Sequence, residues 1–302
     1  MSSFVFFILV NFVLILQIKF GFGQSIDTSA VCDCNCNVEI DVVKKFMKEL
    51  EEVRKSTEKI DTKASNIEQQ LIENRATNPS SCMEAAATSL KSGVYKIKLE
   101  KLNITDLEVF CDEDVDCGGW LVIQRRQSGA VSFYRDWNDY KKGFGDLTGN
   151  YWIGLEKLHA LTSSCEQELY IQLQRRSGEK YHAKYAEFLI GPESQSYTLK
   201  KLGNYGGNAG DSLSNHLGMK FSTYDRDNDN DDKRHCAKEF DGAWWFDDCY
   251  YSHLNGVYNG DHFGICWNDI QMEESLLFAQ MMIRPTQNCW RRLMLGNLNR
   301  YT

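Results

Sequence analysis

The placement of cysteine limits what this chain can fold into more than any other feature. Eleven are present: Cys32, Cys34 and Cys36 crowd into the run Val-Cys-Asp-Cys-Asn-Cys-Asn, and the other eight spread from Cys82 to Cys289. Cysteines this crowded cannot easily bridge one another, so the first three read as interchain disulfides and the even set of eight as a framework within one fold. A zinc site is the competing reading of the three, but alternate thiols with no histidine near them suit it poorly.

A cystine framework needs an oxidising compartment, and the start of the chain agrees. Phe4 to Ile18 is apolar except for Asn11 and Gln17, and small residues follow around Gly21 to Gly23. That pattern is expected of a secretory signal peptide over residues 1–23, being short of the roughly 20 apolar residues that span a bilayer. An uncleaved anchor is the alternative, since the segment lacks a basic start. No second apolar run of membrane length follows. The expectation is a secreted, extracellular chain with no membrane span after cleavage.

Behind a cysteine-rich linking segment at 24–37, residues 38–77 repeat in heptads. Val43, Leu50, Thr57, Ala64 and Leu71 occupy one seam position, and Phe46, Val53, Ile60, Ile67 and Asn74 the other. This is the pattern of a coiled coil through which the chain would self-associate, as dimer or trimer. Charged residues fill the remaining positions, and no glycine or proline interrupts the run. A single amphipathic helix docked on a globular part is the alternative. Asn78-Pro79-Ser80-Ser81 breaks the helix and opens a segment of different character.

From Cys82 onward, short strand-like runs alternate with glycines: Gly93 to Leu99, Gly119 to Gln124, Leu169 to Leu173, Phe278 to Ile283. Helical stretches are few, with Glu84 to Ser89 and Leu155 to Leu161 the clearest candidates. The mixture points to an α+β domain around a mainly antiparallel sheet, with long loops between Asn204 and Gly264. Asn103-Ile104-Thr105 is a glycosylation sequon. A net charge of −8 leaves the chain no basic footprint for nucleic acid.

Phe221 to Gly256 sets two ingredients of a recognition site side by side. Five aspartates fall between Asp225 and Asp232, and the loop from Cys236 to Cys249 holds Phe240, Trp244, Trp245 and Phe246. Clustered carboxylates repel unless they face water or a hard cation, and calcium takes six to eight oxygen ligands. An EF-hand is excluded: counted from Asp225, the sixth residue is Asn230 where glycine is required, and the twelfth is Cys236 where glutamate is. Catalytic patterns are missing, with no His-Glu-x-x-His, no Gly-x-Ser-x-Gly and no phosphate-loop lysine between Gly203 and Gly210. The chain is not expected to be an enzyme. His182, His216 and His253 read as ordinary surface or hydrogen-bonded residues, and residues 290–302 as a flexible basic tail.

Several motifs, taken in order, resemble the fibrinogen-related domain family, which includes fibrinogen ends, ficolins, tachylectins, angiopoietins and tenascins. They are Cys117-Gly-Gly-Trp-Leu-Val-Ile-Gln-Arg-Arg, Val131-Ser-Phe-Tyr-Arg-Asp-Trp, Tyr151-Trp-Ile-Gly-Leu-Glu-Lys-Leu-His, Gly242-Ala-Trp-Trp-Phe, Leu254-Asn-Gly-Val-Tyr and Met281-Met-Ile-Arg-Pro. The resemblance implies a fibrinogen C-terminal-like domain over 81–289. It also implies the disulfides Cys82 with Cys111 and Cys236 with Cys249. For the remaining four cysteines, Cys117 with Cys165 and Cys266 with Cys289 are the pairings taken first.

By the same resemblance, Ca2+ is held by the side chains of Asp227 and Asp229 and by backbone carbonyls expected at Asp231 and Lys233, with Asp225 just behind them. In ficolin-like and tachylectin-like members an acetyl pocket adjoins this ion, using aromatic walls and a cis peptide. Those features map onto Phe240, Asp248, Cys249 and Tyr250. The loop between Tyr258 and Trp267 is shorter here and lacks the tyrosine those members contribute, leaving His262 and Phe263 in its place. Trp244 and Trp245 read as core. The function implied first is a calcium-dependent pattern-recognition lectin of innate immunity that binds acetylated carbohydrate on microbial or cell-surface glycans. The alternative is a signalling or matrix ligand, angiopoietin-like or tenascin-like, that binds a receptor glycoprotein through the same face.

Overall fold

The computed structural model describes residues 36–77, 79–258, 264–270 and 274–290. The signal segment, Cys32, Cys34, His262, Phe263 and the basic tail beyond Trp290 lie outside them. Two units are distinguished, Met1–Ile67 and Glu68–Thr302.

Helix α1 runs unbroken over Cys36–Thr77. Its 42 residues make a rod about 63 Å long at 1.5 Å per residue. Arg54 pairs with Glu51 and Glu58 one turn either side, each at 2.6 Å. Among the described residues, the seam side chains Phe46, Leu50, Val53, Ile60 and Ile67 are between 46% and 65% exposed.

In the second unit α2 spans Cys82–Ala85, earlier and shorter than the helix expected at Glu84 to Ser89. The Glu84 carboxylate reaches back to the Ser80 N–H at 2.6 Å and to its hydroxyl at 3.0 Å, which fixes the start. Leu90 then adopts a left-handed φ of 50°, which a helix cannot continue through.

The strands follow in order: β1 Gly93–Leu99, β2 Ile104–Asp112, β3 Trp120–Arg126, β4 Phe144–Gly145, β5 Tyr151–Trp152, β6 Gln167–Gln174, β7 Lys180–Ile190, β8 Leu199–Lys201, β9 Tyr205–Gly207, β10 Ser252–His253, β11 Cys266–Trp267 and β12 Phe278–Pro285. Helix α3 is Trp137–Lys142, α4 is Leu155–Ser164 and α5 is Cys236–Glu239. The main sheet runs β1-β2-β3-β12-β6-β7-β8, with β5 joined to β3, β4 to β5 and β9 to β7. Its strand pairings are antiparallel, so this is an α+β domain on an antiparallel sheet. The last strand, β12, inserts between β3 and β6, tying the two ends of the domain together.

Every residue of β3 is buried, the apolar run Trp120 to Ile123 and the polar Gln124, Arg125 and Arg126 alike. Leu121 and Ile123 face the main core with Trp152, Leu158 and Ile171, whereas Trp120 and Val122 meet Met282 in a smaller cluster. Arg284 covers that cluster, its guanidinium 4.1 Å from the Trp120 ring. Helix α4 packs on β7 and buries Leu155, Leu158 and Leu161.

Three disulfides stand among the described residues: Cys82–Cys111, Cys236–Cys249 and Cys165–Cys289. The third replaces the two pairings taken first from sequence. Cys165 follows α4 and Cys289 follows β12, and the Glu166 carbonyl accepting the Thr286 N–H at 2.9 Å brings the two ends together. Cys117 is a free, exposed thiol in the loop before β3, and Cys266 a free, buried one on β11.

Candidate functional site

After β9 the chain leaves the sheet and builds the region from 208 to 258 mostly from loops. Two contacts anchor the acidic loop. Ser222 bridges to Trp244, and Asn228 donates through its side chain to the Phe221 carbonyl at 2.9 Å. Asp225, expected just behind the ion, supports a neighbouring helix. Its Oδ1 accepts the Trp137 N–H at 2.9 Å and the Thr223 hydroxyl at 2.7 Å, so it holds the start of α3.

Beyond Asp225 the loop turns so that Asp227, Asp229 and His235 each offer a ligand atom within 4.8 Å of the others. His235 Nδ1 lies 3.9 Å from Asp227 Oδ2, is buried, and has no hydrogen-bond partner among the described residues. Asp229 accepts backbone N–H groups from Cys236 at 2.9 Å and Asp231 at 3.1 Å. Burial foremost, and then the contact and charge of Asp227, nonetheless raise its carboxyl to about 6. Two facing carboxylates and an unpartnered buried imidazole nitrogen make a donor set that a bound cation would satisfy. His235 is absent from the residues singled out by sequence. Its only signal there is its place directly before Cys236.

The other two expected ligands differ. Asp231 turns its carboxylate onto the N–H groups of Lys233 at 2.9 Å and Arg234 at 3.2 Å, and onto the Arg234 guanidinium. The Lys233 N–H, with help from Arg234, holds that carboxyl down at about 2. Only the backbone carbonyls of Asp231 and Lys233 are left to enter a ligand set. Asp231 also lies beside Cys236 and Cys249, but those sulfurs are joined at 2.03 Å and are not available to a metal.

The cystine loop is docked directly on the acidic loop. Asn230 donates its N–H to the Asp247 carbonyl at 3.2 Å and its side-chain amide to the Asp247 carboxylate at 2.7 Å. Arg234 reaches across to Asp248 at 2.8 Å. The Asp248–Cys249 peptide is cis. Trp244 and Trp245 are fully buried, and Trp245 donates to the Tyr197 carbonyl at 2.8 Å.

Phe240 and Tyr250 meet each other edge to face with ring centroids 4.8 Å apart, and each is only 9% exposed. As placed, they close on each other. Tyr251 stands out beside them, half-exposed. Between Asp225 and Asp248 there are nine carboxylates against four Lys or Arg side chains, and Asp227, Asp232, Glu239, Asp241 and Asp248 are all exposed. The face is acidic and edged by the exposed ring of Tyr251.

Of the histidines expected to be surface or hydrogen-bonded, His216 is hydrogen-bonded and, like His253, fully buried. His216 Nδ1 meets the Trp245 carbonyl at 2.7 Å, and Nε2 accepts the N–H groups of Tyr251 at 3.2 Å and Ser252 at 3.0 Å. Burial lowers its pKa to about 4. His253 is also fully buried, with both ring nitrogens unpartnered, and burial together with Arg126 takes it to about 3.

The family model for the C-terminal globular domain of fibrinogen beta and gamma chains matches residues 78–286. Human Fibrinogen C domain-containing protein 1 is 42% identical over 191 residues, covering 60% of this chain and 41% of that one. Ryncolin-4 of Cerberus rynchops is 46% identical over 204 residues, 65% of this chain and 58% of its own. The chain thus spans less than two thirds of the length of these relatives. The fibrinogen-like globe domain of human ANGPTL2 superposes with a TM-score of 0.65 at 41% identity, over 68% of this chain and 98% of that one. A lamprey fibrin D-dimer complexed with the peptide Gly-His-Arg-Pro-amide superposes with a TM-score of 0.63 at 29% identity, over 83% of this chain and 92% of that one. The matches do not single out ficolin-like or tachylectin-like members.

Proposed function

This chain belongs to the family of the fibrinogen C-terminal globular domain, and from that premise we propose that its head is a non-catalytic recognition module for a basic segment of a partner protein. The family consists of ligand-binding and structural domains, and the proteins matched are extracellular. Three disulfides among the described residues agree with that compartment.

One observation carries the choice of ligand. Phe240 and Tyr250, the expected acetyl-pocket walls, pack against each other, while the surface around them is acidic. Such a face attracts and orients a cationic segment, and Tyr251 offers it an exposed ring. The lamprey relative's basic peptide supports the same class of ligand. Calcium at Asp227 and Asp229, with carbonyls of Asp231 and Lys233, is part of the proposal. When bound it supplies the positive charge that lets these carboxylates stay ionised at close quarters. The chain's own residues pass that order on, through Asn230 to Asp247 and through Arg234 to Asp248.

The exposed seam of α1 supports self-association over residues 38–77, clamped by Cys32, Cys34 and Cys36. Several heads on one stalk raise apparent affinity about 10²- to 10⁴-fold where spacing permits.

The lectin reading is the rival. A single experiment separates the two. The full chain is passed over immobilised N-acetylglucosamine, and over a basic peptide with a free amino terminus, each with calcium and with chelator. Peptide binding that weakens with salt and is lost in Asp241→Lys/Asp248→Lys is the expected result. Retention on the sugar resin, with release by chelator or acetate, overturns it in favour of the lectin.

A further inference from the structure

The sequon Asn103-Ile104-Thr105 takes no part in the face described above. It occupies the turn between β1 and β2, after a short 3-10 turn at Glu100–Leu102. Because β1 ends the strand order, this hairpin projects at an edge of the sheet. Asn103 is exposed and left-handed, at φ 53° and ψ 37°, with its backbone N–H donated to the Glu100 carbonyl at 2.9 Å. Among the described residues its side-chain amide makes no hydrogen bond. Thr105 is exposed too, its hydroxyl donating to the neighbouring Asp106 carboxylate at 3.2 Å. Asn78-Pro79-Ser80 also has the outline of a sequon, but proline in the middle position disqualifies it.

A groove of about 470 Å³ begins at Ile104, the residue after this asparagine, and its lining includes Leu107, Phe144 and Tyr151 together with Lys96 and Lys142. Its size falls in the range of ligand clefts, roughly 300 to 1,000 Å³. Its character suits a sugar, whose ring faces are apolar enough to rest on Phe144 and Leu107 while its hydroxyls meet lysine and carboxylate groups at the rim. We propose that Asn103 carries an N-linked glycan whose first sugars seat in this groove. Tethering makes the seating intramolecular, so even a weak sugar contact is populated at the millimolar effective concentration of a short link.

The modification balances simply. Asn103 Nδ2 bonds to the anomeric carbon of a lipid-diphosphate-linked oligosaccharide, whose bond from that carbon to the diphosphate oxygen breaks. The lipid diphosphate leaves with the electron pair, and the amide nitrogen gives up one proton.

The test uses the full chain secreted from eukaryotic cells. Wild type and Thr105→Ser should shift by one glycan on N-glycosidase treatment, and Asn103→Gln and Thr105→Ala should not. Native wild type trimmed by the enzyme should then exchange backbone hydrogens several-fold faster over 142–153, with the rest of the domain unchanged. A folded, secreted wild type that carries no glycan overturns the modification. Unchanged exchange over 142–153 after trimming overturns the seating. Neither readout depends on whether a glycan-free variant folds.

Discussion

His216 accepts the Ser252 backbone N–H on Nε2 at 3.0 Å, and through Nδ1 it holds the Trp245 carbonyl at 2.7 Å. One neutral ring thus ties the cystine loop, at Trp245, to the segment that follows it, at Tyr251 and Ser252. Protonation would put a hydrogen on the nitrogen that accepts from Tyr251 and Ser252, so the charged form is incompatible with the folded contacts.

Acid should therefore loosen the domain from this point. The folded pKa of about 4 lies below the ordinary 6.5, so the unfolded chain takes up a proton that the native one refuses. Stability is full above about 6.5 and falls as pH drops towards 4, by on the order of 3 kcal/mol for this group alone. Denaturant unfolding at pH 7, 6 and 5 measures it. A flat profile across that window would remove the imidazole bridge.

Calcium should raise the melting temperature of the head. At 100-fold excess over its dissociation constant, an ion bound only by the native state adds about 2.7 kcal/mol, or about 5 to 10 °C for a domain of this size. Asp227→Asn should abolish that shift. Without calcium the variant should melt at or above wild type, because the charge facing Asp229 is gone. A variant that melts lower under both conditions would show a structural role instead.

The thiols should label in two classes. Cys117 should react with an alkylating reagent in the native protein, and Cys266 only after unfolding, since burial pushes its thiol up to about 12. Peptide mapping should join Cys165 to Cys289. That link closes a separation of 124 residues, and its loss should cost about 5 kcal/mol on the chain-entropy model. Mapping Cys117 onto Cys165 would overturn the connectivity.

Gly242 has no room for a side chain, because a Cβ there would sit 2.5 Å from His253 Nε2 and 2.7 Å from the Asn255 carbonyl. Gly242→Ala should destabilise by about 1 to 3 kcal/mol. Gly206 has no atom within 4 Å of the same position, so Gly206→Ala should leave the melting temperature nearly unchanged. Equal effects at the two sites would contradict the packing beneath the cystine loop.

Local chemistry was legible without a structure. The apolar run of β3, the long helix with its uninterrupted heptads and the acidic stretch from Asp225 to Asp232 each announce themselves through neighbours a few residues away. Helix α2 starts earlier than its pattern suggests because Glu84 reaches back to the Ser80 N–H and hydroxyl, a contact that composition does not reveal.

The amino-acid order by itself determined an α+β domain behind a heptad helix, the compartment, and the pairing of acidic and cystine loops. Tertiary structure alone decided that Cys165 meets Cys289, that Asp225 serves α3, that Asp231 is taken by Arg234 while His235 joins Asp227, and that Phe240 and Tyr250 close on each other. Each of these joins atoms set by the packing of loops rather than by a repeating backbone, so no local period in the chain encodes it.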